Sequence, residues 1–291
     1  MNHAMSKDQS LAEIQTLLAQ YQGYYEQRLA SGEPCWNDAV FRMETEQSWL
    51  DTKVHGNTYR EIIEEILARE SLAEWLPYIQ TQLEQGETLL VYIVRFCADQ
   101  DPVRMRRILT QHLPEELLFW DWDAPCNRAR MQEMEQFAEV VQLMECVFPE
   151  EFADFCLQWL PKVPLENEYI PELLFKGLVH TAEETLPELL QNETFHNGLK
   201  IGLLNYICQS PVRQEAIYTI LKSMFKQTKD AEEKHFLGIL LGEYGDSRAI
   251  PVLRKYLEFL IQTEPAQREA LREIASAIYK LGGQYEDLMH I

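Results

Sequence analysis

Histidine most often carries metal or acid–base chemistry near neutral pH, so its spacing bears first on any catalytic reading. His55, His112, His180, His196, His235 and His290 have no second histidine or cysteine three or four residues on. That interval would aim two ligands from one helix face at a single ion. Six cysteines, Cys35, Cys97, Cys126, Cys146, Cys156 and Cys208, are scattered with no C-x-x-C pair. In a chain of 291 residues they read as small buried hydrophobes rather than disulfides or metal ligands. No serine sits in a G-x-S-x-G elbow, and neither phosphate-cradling pattern, G-x-x-x-x-G-K-[ST] or G-x-G-x-x-G, occurs. The 47 carboxylates give too many chance neighbours to single out a catalytic pair. Glu61, Glu64, Glu65 and Glu70 read as a solvated helix face. The expectation is no metal, no cofactor and no catalytic set.

Two clusters suit binding instead. Trp120-Asp121-Trp122-Asp123, followed by Ala124-Pro125, alternates indoles with carboxylates next to a helix-breaking proline. Trp is favoured at the centres of interfaces, and the flanking carboxylates attract a cationic partner. The bland alternative is that both indoles fold back as a plug over a seam between helices. Nearby, Arg95, Arg104, Arg106, Arg107, Arg128 and Arg130 fall within 36 residues. Arg104 and Arg107, three apart, share a helix face where an anionic group could sit; the alternative is pairing with the acidic excess around them.

That excess is large: 47 Asp and Glu against 26 Lys and Arg give a net charge of −21. Duplex DNA and anionic membranes both require clustered cations, so nucleic acid is disfavoured and no membrane partner is expected. The most apolar run, Leu89-Leu90-Val91-Tyr92-Ile93-Val94, meets Arg95 at once and is far short of the roughly 20 residues that span a bilayer. The first eight residues lack the apolar core of a signal peptide. A cytoplasmic protein is expected. Twelve Gly and thirteen Pro are too few to turn an all-β chain of this length.

The positioning elements read as helices. Leu11, Ile14, Leu17, Leu18, Tyr21, Tyr25 and Leu29 form one stripe at steps of three and four, stopped by Ser31-Gly32-Glu33-Pro34. A second segment carries Val40, Phe41, Met43, Trp49 and Leu50, and His55-Gly56-Asn57 ends it. Beyond Thr58 the breaks recur. Ser71-Leu72-Ala73-Glu74 and Thr181-Ala182-Glu183-Glu184 fit capping boxes. Asp101-Pro102 and Ser210-Pro211 place a cap before a first-turn proline, as Gly245-Asp246 pairs a helix stop with a cap. Phe148-Pro149-Glu150-Glu151 opens a further helix. Caps at 71, 101, 148, 181, 210 and 246 imply helix pairs recurring about every 30–36 residues, with one insertion of roughly a dozen residues near 114–130 in the widest interval.

The segment Leu240-Leu241-Gly242-Glu243-Tyr244-Gly245-Asp246-Ser247-Arg248-Ala249-Ile250-Pro251-Val252-Leu253 resembles the HEAT repeat, in particular the short HEAT-like repeat of phycobilisome lyases. Trp75-Leu76-Pro77-Tyr78-Ile79 and Thr185-Leu186-Pro187-Glu188-Leu189 are weaker echoes, and Asp101-Pro102-Val103-Arg104 echoes the inter-helix turn. The resemblance implies an all-α fold, a right-handed α-solenoid of stacked HEAT-like helix pairs over residues 57–291, with residues 1–56 as a helical cap or extension. It also implies an interaction surface, since a lone pair cannot bury its apolar face whereas a stack can, and the stack exposes an extended groove.

Within that resemblance, deoxyhypusine hydroxylase relies on repeated His-Glu motifs, and this chain has no His-Glu dipeptide. HEAT-like DNA glycosylases use Trp and Asp on a basic surface, which the net charge of −21 opposes. The expected function is a non-catalytic interaction module, a scaffold, adaptor or immunity-type protein, whose acidic surface binds a basic protein through Trp120, Asp121, Trp122, Asp123, Arg104 and Arg107. The alternative is a HEAT-scaffold enzyme or lyase resembling bilin lyases.

Overall fold

The computed structural model describes residues 7–32, 38–85, 87–111, 113, 117–118, 127–163, 169–264 and 266–288. Among these the chain is all-helical, with fifteen α-helices and one minimal hairpin. It divides into two compact units, residues 1–181 and 182–291.

The first unit opens with α1 (Lys7–Ala30) and α2 (Asp38–Leu50). The expected stripe on α1 is buried at Ile14, Leu17 and Tyr21, but Leu29 is 54% exposed, so the stripe leaves the core before the helix ends. After α2 the chain reverses through strands β1 (Lys53–Val54) and β2 (Asn57–Thr58), paired antiparallel. His55 and Gly56 both take positive φ in the two-residue turn, as a primed hairpin turn demands. Thr58 then starts α3 (Tyr59–Leu67) with a full capping box: its hydroxyl accepts from the Glu61 amide, and the Glu61 carboxylate accepts from the Thr58 amide.

There follow α4 (Leu72–Gln85), α5 (Val91–Gln100), α6 (Pro102–Gln111), α7 (Arg128–Val147), α8 (Pro149–Trp159) and α9 (Tyr169–Thr181). Asp101 caps α6 through the Arg104 amide at 3.0 Å, and Pro149 occupies the first turn of α8. The twenty-residue α7 contacts α2, α4, α5, α6, α8 and α9, so it forms the centre of this unit. Its Phe137, Val140, Val141 and Met144 are almost fully buried.

The second unit contains α10 (Leu186–Gln191), α11 (Asn197–Gln209), α12 (Glu215–Gln227), α13 (Ala231–Tyr244), α14 (Ile250–Thr263) and α15 (Arg268–Lys280). Here neighbouring helices pack in sequence order: α11 on α13, α13 on α15, α12 on α13 and α14 on α15. The approach of α13 to α15 is close because Gly238 and Gly242, four apart, share a face. A Cβ at Gly242 would lie 2.5 Å from the Ala277 Cβ and 2.7 Å from its Cα, and one at Gly238 would lie 2.7 Å from Ile274 Cδ1. Gly245 ends α13 at φ +84°, and Asp246 accepts from the Arg248 amide at 2.9 Å. Pro251 falls in the first turn of α14, where its missing N–H is tolerated.

Two expected caps are built differently. The Thr181 hydroxyl turns back to donate to Gly177 O at 2.9 Å and closes α9 instead of opening the next helix, the local competition that hydroxyl side chains offer. Ser210 likewise donates to Ile207 O, and α12 starts only at Glu215. Between them Arg213 folds back onto Cys208 O and Ser210 O, satisfying the free carbonyls at the end of α11.

Candidate functional site

The second unit holds a groove of about 1440 Å³. Its origin is the spacing of helices. Glycine contacts draw α13 and α15 together, while α12 packs on α13 and α14 on α15. The first half of α13 is thereby left uncovered between them. Phe236 and Ile239 of α13 and Val252, Tyr256, Phe259 and Leu260 of α14 line the opening. Phe236 is 39% and Phe259 52% exposed, both large apolar side chains at the solvent boundary.

Aromatic contacts fix these walls. The Tyr256 and Phe259 rings stack with centroids 6.4 Å apart, and Phe225 meets Tyr256 edge-on at 5.3 Å. Burial, and after it the nearby Glu264 carboxylate, raises the Tyr256 phenol above its ordinary pKa, so it remains a neutral part of the wall. Lys226, Lys229, Lys234 and Lys255 stand around the opening, against three glutamates, Glu232, Glu264 and Glu273. Glu273 is already engaged, its Oε2 lying 2.6 Å from His235 Nε2. Lys234 is held over the Phe225 ring at 5.5 Å. Lys226, Lys229 and Lys255 are exposed and have no ion-pair or hydrogen-bond partner among the described residues.

The first unit carries a contrasting arrangement, a charge cluster closed to solvent. Arg42 is 2% exposed, and its two terminal nitrogens reach Glu139 Oε2 and Oε1 at 2.7 and 2.8 Å. It also donates to Gln142 Oε1 at 3.1 Å and to Leu89 O. One turn along α2, Glu46 accepts from the Val91 and Tyr92 amides at 2.9 and 2.7 Å. Those are the first two amides of α5, whose N-cap, Leu90, has no side chain able to accept them. Burial raises the Glu46 carboxyl above its ordinary pKa, against the opposing pull of Arg42. Such a cluster joins helices, and its guanidinium is consumed by protein partners. On α9, His180 Nδ1 lies 2.7 Å from the buried Glu145 carboxylate, a contact that orients the ring.

Of the expected contact residues, Trp120, Asp121, Trp122 and Asp123 lie outside the described residues, as does most of the insertion. Arg104 and Arg107 stand one turn apart on α6, both exposed, while Met105, Ile108 and Leu109 face inward. Neither guanidinium has a partner among the described residues. Their neighbours are used structurally: Arg106 pairs with Glu151 at 2.6 Å and Arg95 donates to Cys146 O at 2.6 Å. Cys97, Cys146, Cys156 and Cys208 are buried free thiols, and Cys35 and Cys126 lie outside the described residues. No helix among the described residues is long and apolar enough to cross a membrane.

Sequence reading did not single out the groove, although one signal for it exists. On α14, Leu253, Leu257 and Leu260 already make one buried stripe, and Val252, Tyr256 and Phe259 form a second beside it. Two adjacent stripes are wider than packing against one neighbour requires. Comparison with models of known protein families, with curated proteins and with solved structures found no match.

Proposed function

We propose that this chain is a non-catalytic protein-interaction module, built on HEAT-like helix pairs stacked as a right-handed solenoid, that serves as a scaffold or adaptor in the cytoplasm. The observation that carries it is the groove of the second unit, whose volume of about 1440 Å³ exceeds the usual range of small-molecule pockets and whose walls present Phe236 and Phe259 to solvent. The repeat reading draws support from the left-handed Gly245, the Asp246 cap and the first-turn Pro251, and from helices that follow one another in space as in sequence. The net charge of −21 favours a basic protein over the acidic surface outside the groove, with exposed Arg104 and Arg107 and the Trp120–Asp123 segment as further contacts.

The test is affinity purification of the whole chain beside a Phe236→Ala/Phe259→Ala variant, with bound proteins quantified by mass spectrometry. A protein recovered stoichiometrically by the wild type and lost by the variant supports the module. Recovery of none by either sinks it, and recovery of the same proteins by both puts the contact outside the groove. A basic partner engaged electrostatically should also dissociate between low salt and about 0.5 M, where the screening length falls to a few ångströms.

A further inference from the structure

We infer that the groove lined by helices α12 to α15 is a receptor for an acidic amphipathic helix, a segment with apolar anchors on one face and carboxylates along its flanks. This rests on the interaction-module reading and specifies the chemistry of one of its partners.

The charge around the groove is the first ground. Across the chain acidic residues outnumber basic ones 47 to 26, yet the groove is lined by four lysines and three glutamates. One of those glutamates is taken by His235, which leaves the lysines in excess. Elsewhere in the same unit several cations are engaged internally: Arg248 by Glu215 and Asp246, Arg254 by Asp287, Lys280 by Glu243. Lys226, Lys229 and Lys255 are exposed and unpaired. A basic segment would meet repulsion here, and an acidic one would find three unengaged ammonium groups.

The shape of the walls is the second ground. Val252, Tyr256 and Phe259 stand at i, i+4 and i+7 on α14, facing the uncovered Phe236 and Ile239 of α13. A helix is about 10 Å across, and laid there it would bury an apolar stripe against both helices as ridges into grooves. Helix-in-groove recognition uses anchors at this same spacing. Tyr256 and Phe259 are already stacked on one another, so little side-chain freedom is lost on docking.

The experiment is selection of a random sixteen-residue peptide library on the immobilised whole chain, followed by binding curves for the enriched peptides. Enriched sequences should carry net negative charge and apolar residues at i, i+3 or i+4, and i+7. Phe259→Ala should weaken them about thirty-fold, as for a central interface anchor. Lys226→Glu/Lys255→Glu should weaken them about five-fold or more and improve a charge-reversed control peptide. All these side chains lie at the surface, so a far-ultraviolet spectrum matching wild type will accompany the loss. Enrichment of basic peptides, indifference to the lysine reversals, or self-association relieved by Phe259→Ala would each overturn the inference. If basic proteins bind the chain while acidic peptides do not, the groove assignment falls and the module stands. If neither binds, both fall.

Discussion

Arg42 and Glu139, separated by 97 positions in the chain, meet in a two-pronged ion pair with N–O distances of 2.7 and 2.8 Å, closed off from solvent between α2 and α7. Both oxygens of the carboxylate are used, and Glu139 Oε1 also accepts from the Leu89 amide at 2.9 Å. The pair therefore ties three separate stretches of the first unit at one point.

Removing one member strands the other charge in the interior. Arg42→Met is expected to lower the unfolding free energy by about 3–5 kcal/mol, because Glu139 keeps its desolvation cost without its partner. Arg42→Met together with Glu139→Leu should recover most of that loss. Denaturant midpoints of the two variants would check this, and a double variant no better than the single would show that the ion pair itself is indispensable.

Glu46 makes a pH-dependent contribution whose sign is opposite to that of an exposed salt-bridged carboxylate. Burial raises its pKa in the folded state, so the folded chain holds this proton more tightly than the unfolded one. Its contribution to stability is fully present below the ordinary carboxylate pKa and declines as pH rises through the raised value. The difference in unfolding free energy between wild type and Glu46→Gln, followed by chemical denaturation across the acid range, should fall with increasing pH over that window. A rising difference would contradict the assignment.

Gly242→Ala should be more damaging than alanine at a typical helix position, although alanine is the better helix former. The added methyl would arrive 2.5 Å from the Ala277 Cβ, against backbone that cannot rotate away. A cost of about 1–3 kcal/mol is expected for this overpacking. The paired variant Gly242→Ala/Ala277→Gly should restore part of it, and thermal melts of both would decide.

The buried thiols should be inert in the folded chain. Burial pushes Cys97, Cys146 and Cys208 up to about 12, so almost no thiolate forms near neutral pH. Alkylation at pH 8 followed by mass spectrometry should leave these three unmodified without denaturant and label them once it is added. Rapid labelling of the native chain would mean that the surrounding helices open readily.

What could be read without coordinates was local. The stop and cap at Gly245 and Asp246, the cap at Asp101, the first-turn Pro149 and the first half of the inward face of α1 all depend on residues within a turn or two of one another, and each is found where its pattern sits. At Thr181 and Ser210 the pattern does not choose, because a hydroxyl can serve the helix behind it as well as the helix ahead. Arg42, Glu46 and Glu139 carry no sequence signal, since their partners lie 45 or more positions away. The groove stayed hidden for a related reason. Its walls are ordinary amphipathic helices, and only their packing in space brings Phe236 and Phe259 to one exposed opening.

The borrowed cap of α5 has a kinetic consequence. Helix nucleation is costly, and a start without a local acceptor is costlier still. With Leu90 unable to cap, the first amides of α5 wait for Glu46, which is already present when α5 leaves the ribosome because synthesis proceeds from the N-terminus. The cap therefore precedes the helix it completes, and α5 should become protected from hydrogen exchange only as α2 docks. During synthesis, the earlier helix acts as a template for the later one.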